Sequence, residues 1–134
     1  MKQLFLIDNP AGKEYDLTQM IQSKIDLGRE PEITLGRRSS TSPTDITLGA
    51  GLDCEKHKSL LGVSREHARI RYDGGEFRLS SEKVTCVSRY SEDGAYSEES
   101  TPGVESYALE DKDNLMFSNW FYGPVTISSK RVSK

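Results

Sequence analysis

The residues of this chain best suited to chemistry are two arginines, each next to a small residue: Gly36-Arg37 and Ser64-Arg65. Arginine stays cationic and presents a planar fork of donors, so both suit an anion. Lys83 adds a point charge that donates but cannot accept a hydrogen bond, and Thr85 follows two residues later. Residues 29–71 hold eight Lys/Arg against six Asp/Glu, a surplus of two, whereas residues 91–114 hold one Lys against eight Asp/Glu. The net charge of -3 therefore hides a locally basic stretch. Such a balance points to a specific anion and argues against whole-molecule attraction to nucleic acid.

Other chemistry is poorly supplied. Cys54 and His57 have metal-ligand spacing, and Cys86 and His67 can complete a set of four. A structural zinc site, however, shows two tight pairs, and this chain has one. Gly49-Ala50-Gly51 lacks the third glycine and the helix of a dinucleotide loop. The serines and the two histidines form no nucleophile elbow or triad pattern. Glu98-Glu99 and the Asp111/Asp113 pair fall in loops and read as solvated. The expectation is a non-enzymatic protein without metal or cofactor.

The 134 residues suffice for one core. Hydrophobic residues make up 34% and charged residues 29%, a globular balance. No apolar run nears the roughly 20 residues of a membrane span. The apolar stretch Leu4–Ile7 is too short for a signal-peptide core. Two cysteines make no disulfide framework, so a cytoplasmic location with reduced thiols is expected.

Short alternating runs broken by turn residues dominate. Strands are expected at Leu4–Ile7, Glu14–Leu17, Glu32–Leu35, Asp45–Leu48, His67–Tyr72, Glu76–Leu79, Val84–Val87, Ser106–Leu109, Leu115–Phe117 and within Phe121–Ile127. In the run from His67, alternation puts Ala68, Ile70 and Tyr72 on one face and His67, Arg69 and Arg71 on the other. Asp73-Gly74-Gly75 reads as the hairpin turn that follows. Residues 18–30 fit a short helix or a ragged strand, 49–63 a long loop, and 90–106 a mobile loop or a ragged hairpin. This is the pattern of a β-sandwich or barrel. One domain is expected over residues 1–128, with a flexible tail at 129–134.

Four segments together resemble the forkhead-associated (FHA) domain, a phosphothreonine-binding β-sandwich. They are the strand running into Gly36-Arg37, then Asp45–Leu48, then Ser64-Arg65-Glu66-His67-Ala68-Arg69-Ile70, and finally Leu109–Phe117, which has Lys112 where the family has glycine. The resemblance implies an all-β FHA-like sandwich of ten to eleven short, mainly antiparallel strands with binding loops at one end. It implies a phosphopeptide site at Arg37, Ser64, Arg65, Lys83 and Thr85, supported by Gly36 and His67. Ser64 offers a hydroxyl and a backbone N–H to a phosphate, and Arg65 a second charge-assisted contact. Lys83 and Ser88 stand where the family usually has asparagines. The implied partner is a phosphothreonine-containing protein, a Ser/Thr kinase or its substrate. The competing reading is an FHA-like scaffold that binds protein surfaces without phosphate; it is motivated by the replaced asparagine and the long 49–63 loop.

Overall fold

A computed structural model describes residues 2–38, 43–81, 83, 85–90, 96–101 and 104–131. The expected strand at Val84–Val87 is therefore described from Thr85 onward. The strands, in chain order, are β1 (Phe5–Asp8), β2 (Lys13–Asp16), β3 (Glu32–Arg37), β4 (Ile46–Leu48), β5 (Ala68–Asp73), β6 (Glu76–Ser81), β7 (Thr85–Tyr90), β8 (Tyr96–Thr101), β9 (Val104–Ala108), β10 (Asn114–Phe117) and β11 (Tyr122–Ser128). A helix, α1 (Leu17–Asp26), follows β2, and a 3₁₀ turn (Lys58–Gly62) sits in the long loop before β5.

The strands form two sheets. One has the order β2-β1-β11-β10-β7-β8, the other β4-β3-β5-β6-β9. Every neighbouring pair with a given register is antiparallel except β3 and β4, which run parallel. This is the FHA-like sandwich expected from the sequence.

Period-2 alternation sets what faces inward. Ile33 pairs with Ile70, and Ile70 with Leu79, a row of buried side chains across the second sheet. Leu115 and Phe117 of β10, with Val125 and Ile127 of β11, face them from the first. On the outer face Arg69 pairs with Glu32 at 3.2 Å and Arg71 with Glu30 at 3.0 Å. These exposed pairs add little stability, but they neutralise both arginines. The β5–β6 turn is the two-residue Gly74-Gly75, both at positive φ (60° and 84°), a conformation open to glycine at little steric cost.

Residues left open by the sequence resolve as follows. The segment after β2 is a helix because both ends are capped. The Asp16 carboxylate accepts from the Gln19 N–H at 3.0 Å, and Gly28 at φ 70° lets the Arg29 N–H reach the Lys24 carbonyl at 2.8 Å. Leu17 and Ile21 are the buried face. Lys24 reaches Asp45, just ahead of β4, at 2.9 Å. Burial alone would raise the Asp45 pKa, but hydrogen bonds from Thr34 and the Lys24 pair outweigh it and hold that carboxyl below its ordinary value. The acidic 90–106 region is strands rather than a loop in its described parts. β8 pairs with β7 in the first sheet, and β9 pairs with β6 in the second.

The passage from β9 back to β10 is held by one ion pair. Asp113 is fully buried. Arg89 grips it with Nε to Oδ1 and Nη2 to Oδ2, both at 2.8 Å, and Nη2 also donates to the Ala108 carbonyl at 2.8 Å. The Asp113 bond pushes the Arg89 pKa further up, against the cost of burial. Lys112, where glycine is usual, sits at φ 75° within this turn.

Removing one member of a buried pair strands the other charge. Arg89→Ala is expected to cost about 3–5 kcal/mol in denaturant unfolding. Arg89→Ala with Asp113→Ala is expected to lose less than the two single losses added together. Additive losses would count against the pairing.

Candidate functional site

Most of the residues singled out in the sequence are joined by one chain of hydrogen bonds at one end of the second sheet. It begins where β3 ends. The Arg37 N–H donates to the Ser64 carbonyl at 3.0 Å. The Ser64 N–H donates to Nδ1 of His67 at 3.0 Å. The His67 N–H donates to the Leu35 carbonyl at 2.8 Å, closing a loop onto β3. The His67 carbonyl then accepts from the Ser81 hydroxyl at 2.7 Å, which reaches the end of β6. Ser81 Oγ also accepts from the Lys83 N–H at 3.1 Å and lies 3.1 Å from the Thr85 hydroxyl.

Gly36 is required by this arrangement. A Cβ there would lie 1.8 Å from the Arg65 carbonyl oxygen and 2.9 Å from that of Ser64. Those are backbone atoms with no rotamer to yield. The 64–65 loop lies directly on β3 because β3 has no side chain at this point.

His67 does not share the outer face with Arg69 and Arg71, as simple alternation implies. It lies just ahead of β5, is 2% exposed, and packs edge-on against Phe117 with ring centroids 5.3 Å apart. Its Nδ1 must be unprotonated to accept from Ser64. The backbone N–H of Ser64 is consumed in that bond, so of the two donors the sequence offers there, the hydroxyl is the one left for a ligand. Thr85 is fully buried, with its hydroxyl on Ser81 and the Lys83 carbonyl. Its side chain therefore shapes the 81–85 turn from inside. Lys83 and Arg65 are exposed, while Arg37 and Ser64 are half-buried. The Arg37 guanidinium leans on the Leu61 carbonyl at 3.4 Å.

Asp8 carries no signal in the sequence, yet it fixes the neighbouring 49–63 loop. It is fully buried in β1 of the opposite sheet. Oδ2 accepts from the Gly49 N–H at 2.7 Å, and Oδ1 accepts from the Tyr122 hydroxyl at 2.6 Å. Burial, then the bond to Asp8, pushes the Tyr122 pKa upward. Gly49 also takes Leu60 against its α-carbon: a Cβ there would come within 2.6 Å of a Leu60 methyl. Between this loop and Arg37 lies a pocket of about 650 Å³.

The residues named for a metal are not assembled. Cys54 is half-buried at the pocket, Cys86 is buried in β7, and the Nδ1 of His67 is occupied. Among the described residues no three His, Cys, Asp or Glu side chains gather as a metal set. Among them, too, no helix is long and apolar enough to cross a membrane.

No protein-family profile matches the chain, and no curated protein does. Solved structures do. The FHA domain of an Arabidopsis thaliana hypothetical protein is 16% identical, covering 100% of this chain and 92% of that one, at a TM-score of 0.58. A structure from work on phosphothreonine-dependent FHA domain interactions is 19% identical, covering 97% and 99%, at 0.54. The FhaA FHA domain complexed with the intracellular domain of Rv3910 is 22% identical, covering 92% and 98%, at 0.52. The chain has the FHA fold.

Gly36→Ala is expected to destabilise by about 1–3 kcal/mol or more, since backbone must move to admit the methyl. His67→Ala leaves the Ser64 N–H without its acceptor and is expected to cost about 1–3 kcal/mol from that alone. Thermal unfolding of both variants checks this. A Gly36→Ala protein as stable as the parent would show that the 64–65 loop does not press on β3.

Proposed function

We propose that this protein is a binding module for phosphothreonine on a partner protein, and that it acts by recruitment rather than by catalysis. The observation that carries the reading is the hydrogen-bond chain running from Arg37 through Ser64 and His67 to Lys83. It brings three cations and one uncommitted hydroxyl to loops at one end of a rigid sheet, where binding residues are commonly displayed. Likeness in fold to a structure studied for phosphothreonine-dependent interactions supports it.

A phosphothreonine brings nearly two negative charges and three acceptor oxygens. In this reading the Ser64 hydroxyl and the Arg65 guanidinium meet the phosphate. Arg37 is steadied by Leu61 and spans between phosphate and peptide backbone. Lys83 supplies charge where the family's asparagine usually holds the peptide, so backbone grip is weaker and phosphate grip stronger than usual. Gly36, His67 and Thr85 act through the positions of the others. The partner is a kinase-linked phosphoprotein.

A second reading, phosphate-independent docking, is favoured by one observation. Leu61, Trp120 and Phe121 are exposed at 46%, 56% and 58%, and the Gly62 α-carbon sits close to Ser118 and Trp120. Exposed aromatics of this kind are common anchors in protein contacts.

A degenerate phosphothreonine peptide library, with its unphosphorylated counterpart as control, separates the two. Arg37→Ala is expected to lower affinity for a selected peptide by about 10–100-fold, the size of one charge-assisted hydrogen bond, with unfolding unchanged. Arg37→Lys is expected to recover little, since an ammonium lacks the fork. Affinity is expected to fall from pH 7 to pH 5, because the phosphate takes up its second proton near pH 6. Unchanged affinity in Arg37→Ala, or partner binding that survives phosphatase, would reject the phosphate reading in favour of docking.

A further inference from the structure

The pocket beside Arg37 is not needed to hold a phosphothreonine. It is rimmed by Arg37, Arg38 and Arg65, and neither Ser64 nor Lys83 lines it. Its volume of about 650 Å³ far exceeds one phosphothreonine side chain. Its far wall is apolar, formed by Leu48, Leu52 and Leu60. It is also a built feature. Gly49 is anchored to buried Asp8 at 2.7 Å, Leu52 N–H bonds the Gly49 carbonyl at 2.9 Å, and His57 N–H bonds the Asp53 carbonyl at 2.9 Å.

Charge says what would enter. No aspartate or glutamate is among the described residues lining it. Arg69, Arg71, Arg78, Arg89 and Arg131 are each in an ion pair. Arg37 and Arg38 have no acidic partner among the described residues. Cations kept together without a counter-ion in a concave site focus a positive potential. Carboxylates are plentiful in this acidic protein, so their absence here is a feature of the placement.

We infer that this pocket binds a second anionic side chain, phosphoryl or carboxylate, on the same partner segment that carries the phosphothreonine. Arg38 and Arg65 meet the anion, and the leucine wall takes the aliphatic part of that residue or its neighbour. This inference rests on the phosphothreonine reading and extends it: the module reads two anions at a set spacing. Arg37 lies between the two sites, so Arg38 is the residue that separates them.

The test uses peptides carrying phosphothreonine alone, phosphothreonine with a second phosphothreonine, and phosphothreonine with Asp or Glu, at spacings of two to five residues on either side. Binding is measured by calorimetry. Cys54, half-buried in the pocket, serves as a second readout through its alkylation rate, since Cys86 is buried at 5% exposure. At the favoured spacing a second anion is expected to tighten binding about tenfold and to slow Cys54 alkylation. Comparing the phosphoryl and carboxylate arms tells which source is used. Arg38→Ala is expected to erase that gain while leaving the singly phosphorylated peptide within about twofold. Normal binding of the single phosphopeptide with no gain at any spacing would overturn the inference alone. A gain that persists in Arg38→Ala, or Cys54 alkylation unaffected by saturating doubly anionic peptide, would also overturn it. If the singly phosphorylated peptide fails to bind, both this inference and the reading beneath it fall.

Discussion

The bond from the Ser64 N–H to Nδ1 of His67 is the contact on which the candidate site depends. It fixes the loop ahead of β5 by a side chain that is itself buried against Phe117 of the opposite sheet. From that fixed point the backbone of His67 reaches both ways, to Leu35 on β3 and to Ser81 on β6. Three loops are thereby held by one residue whose every polar connection points inward. The exposed cations beside it need no rigidity of their own. Their backbones are placed for them, and less entropy remains to be lost when a ligand orders the side chains.

Charge is distributed to the same end. On the outer face of the second sheet each arginine meets a glutamate, so that face is close to neutral at short range. Arg37, Arg38 and Arg65 lie where the strands stop, with no carboxylate in the pocket they rim. A protein of net charge -3 can thus hold a strongly positive spot. Its acidic remainder discourages non-specific contact with nucleic acid, and the local field selects anions near those loops.

Much of this was legible in the sequence, for identifiable reasons. The strands with clean alternation, β5, β6 and β10, and the Gly74-Gly75 turn follow from period-2 burial and from glycine's tolerance of positive φ. Gly36-Arg37 and Ser64–His67 were legible as a pair of motifs, though not why the first must be glycine; that answer is the Arg65 carbonyl lying on it. α1 was ambiguous because its apolar positions are few, yet its Asp16 and Gly28 caps were in plain view. β8 and β9 were obscured by acidic and serine-rich composition, since strands near an edge keep their backbone pairing without apolar side chains. The Asp8–Tyr122 and Arg89–Asp113 contacts join residues 114 and 24 positions apart. No local pattern encodes such pairs. His67 was misplaced by alternation because the strand begins one residue later and the histidine turns into the core.

The pocket adds a constraint of a different kind. Its arginine rim is held by β3 and the His67 loop of the second sheet, while its far wall hangs from Asp8 on β1 of the first. Leu60 serves both as wall and as core, packed on Gly49 and 2% exposed. The width of the pocket is therefore set by how the two sheets pack, not by the loop alone. A shift of one sheet against the other would move the leucines relative to the arginines while leaving Arg37, Ser64 and His67 in register, because those three belong to a single sheet and its connections. The fold thus uncouples two functions of one surface: an anion grip insensitive to sheet packing, beside a pocket whose shape the core sets. That division explains how a long insertion at 49–63 can alter what surrounds the grip without disturbing the grip itself.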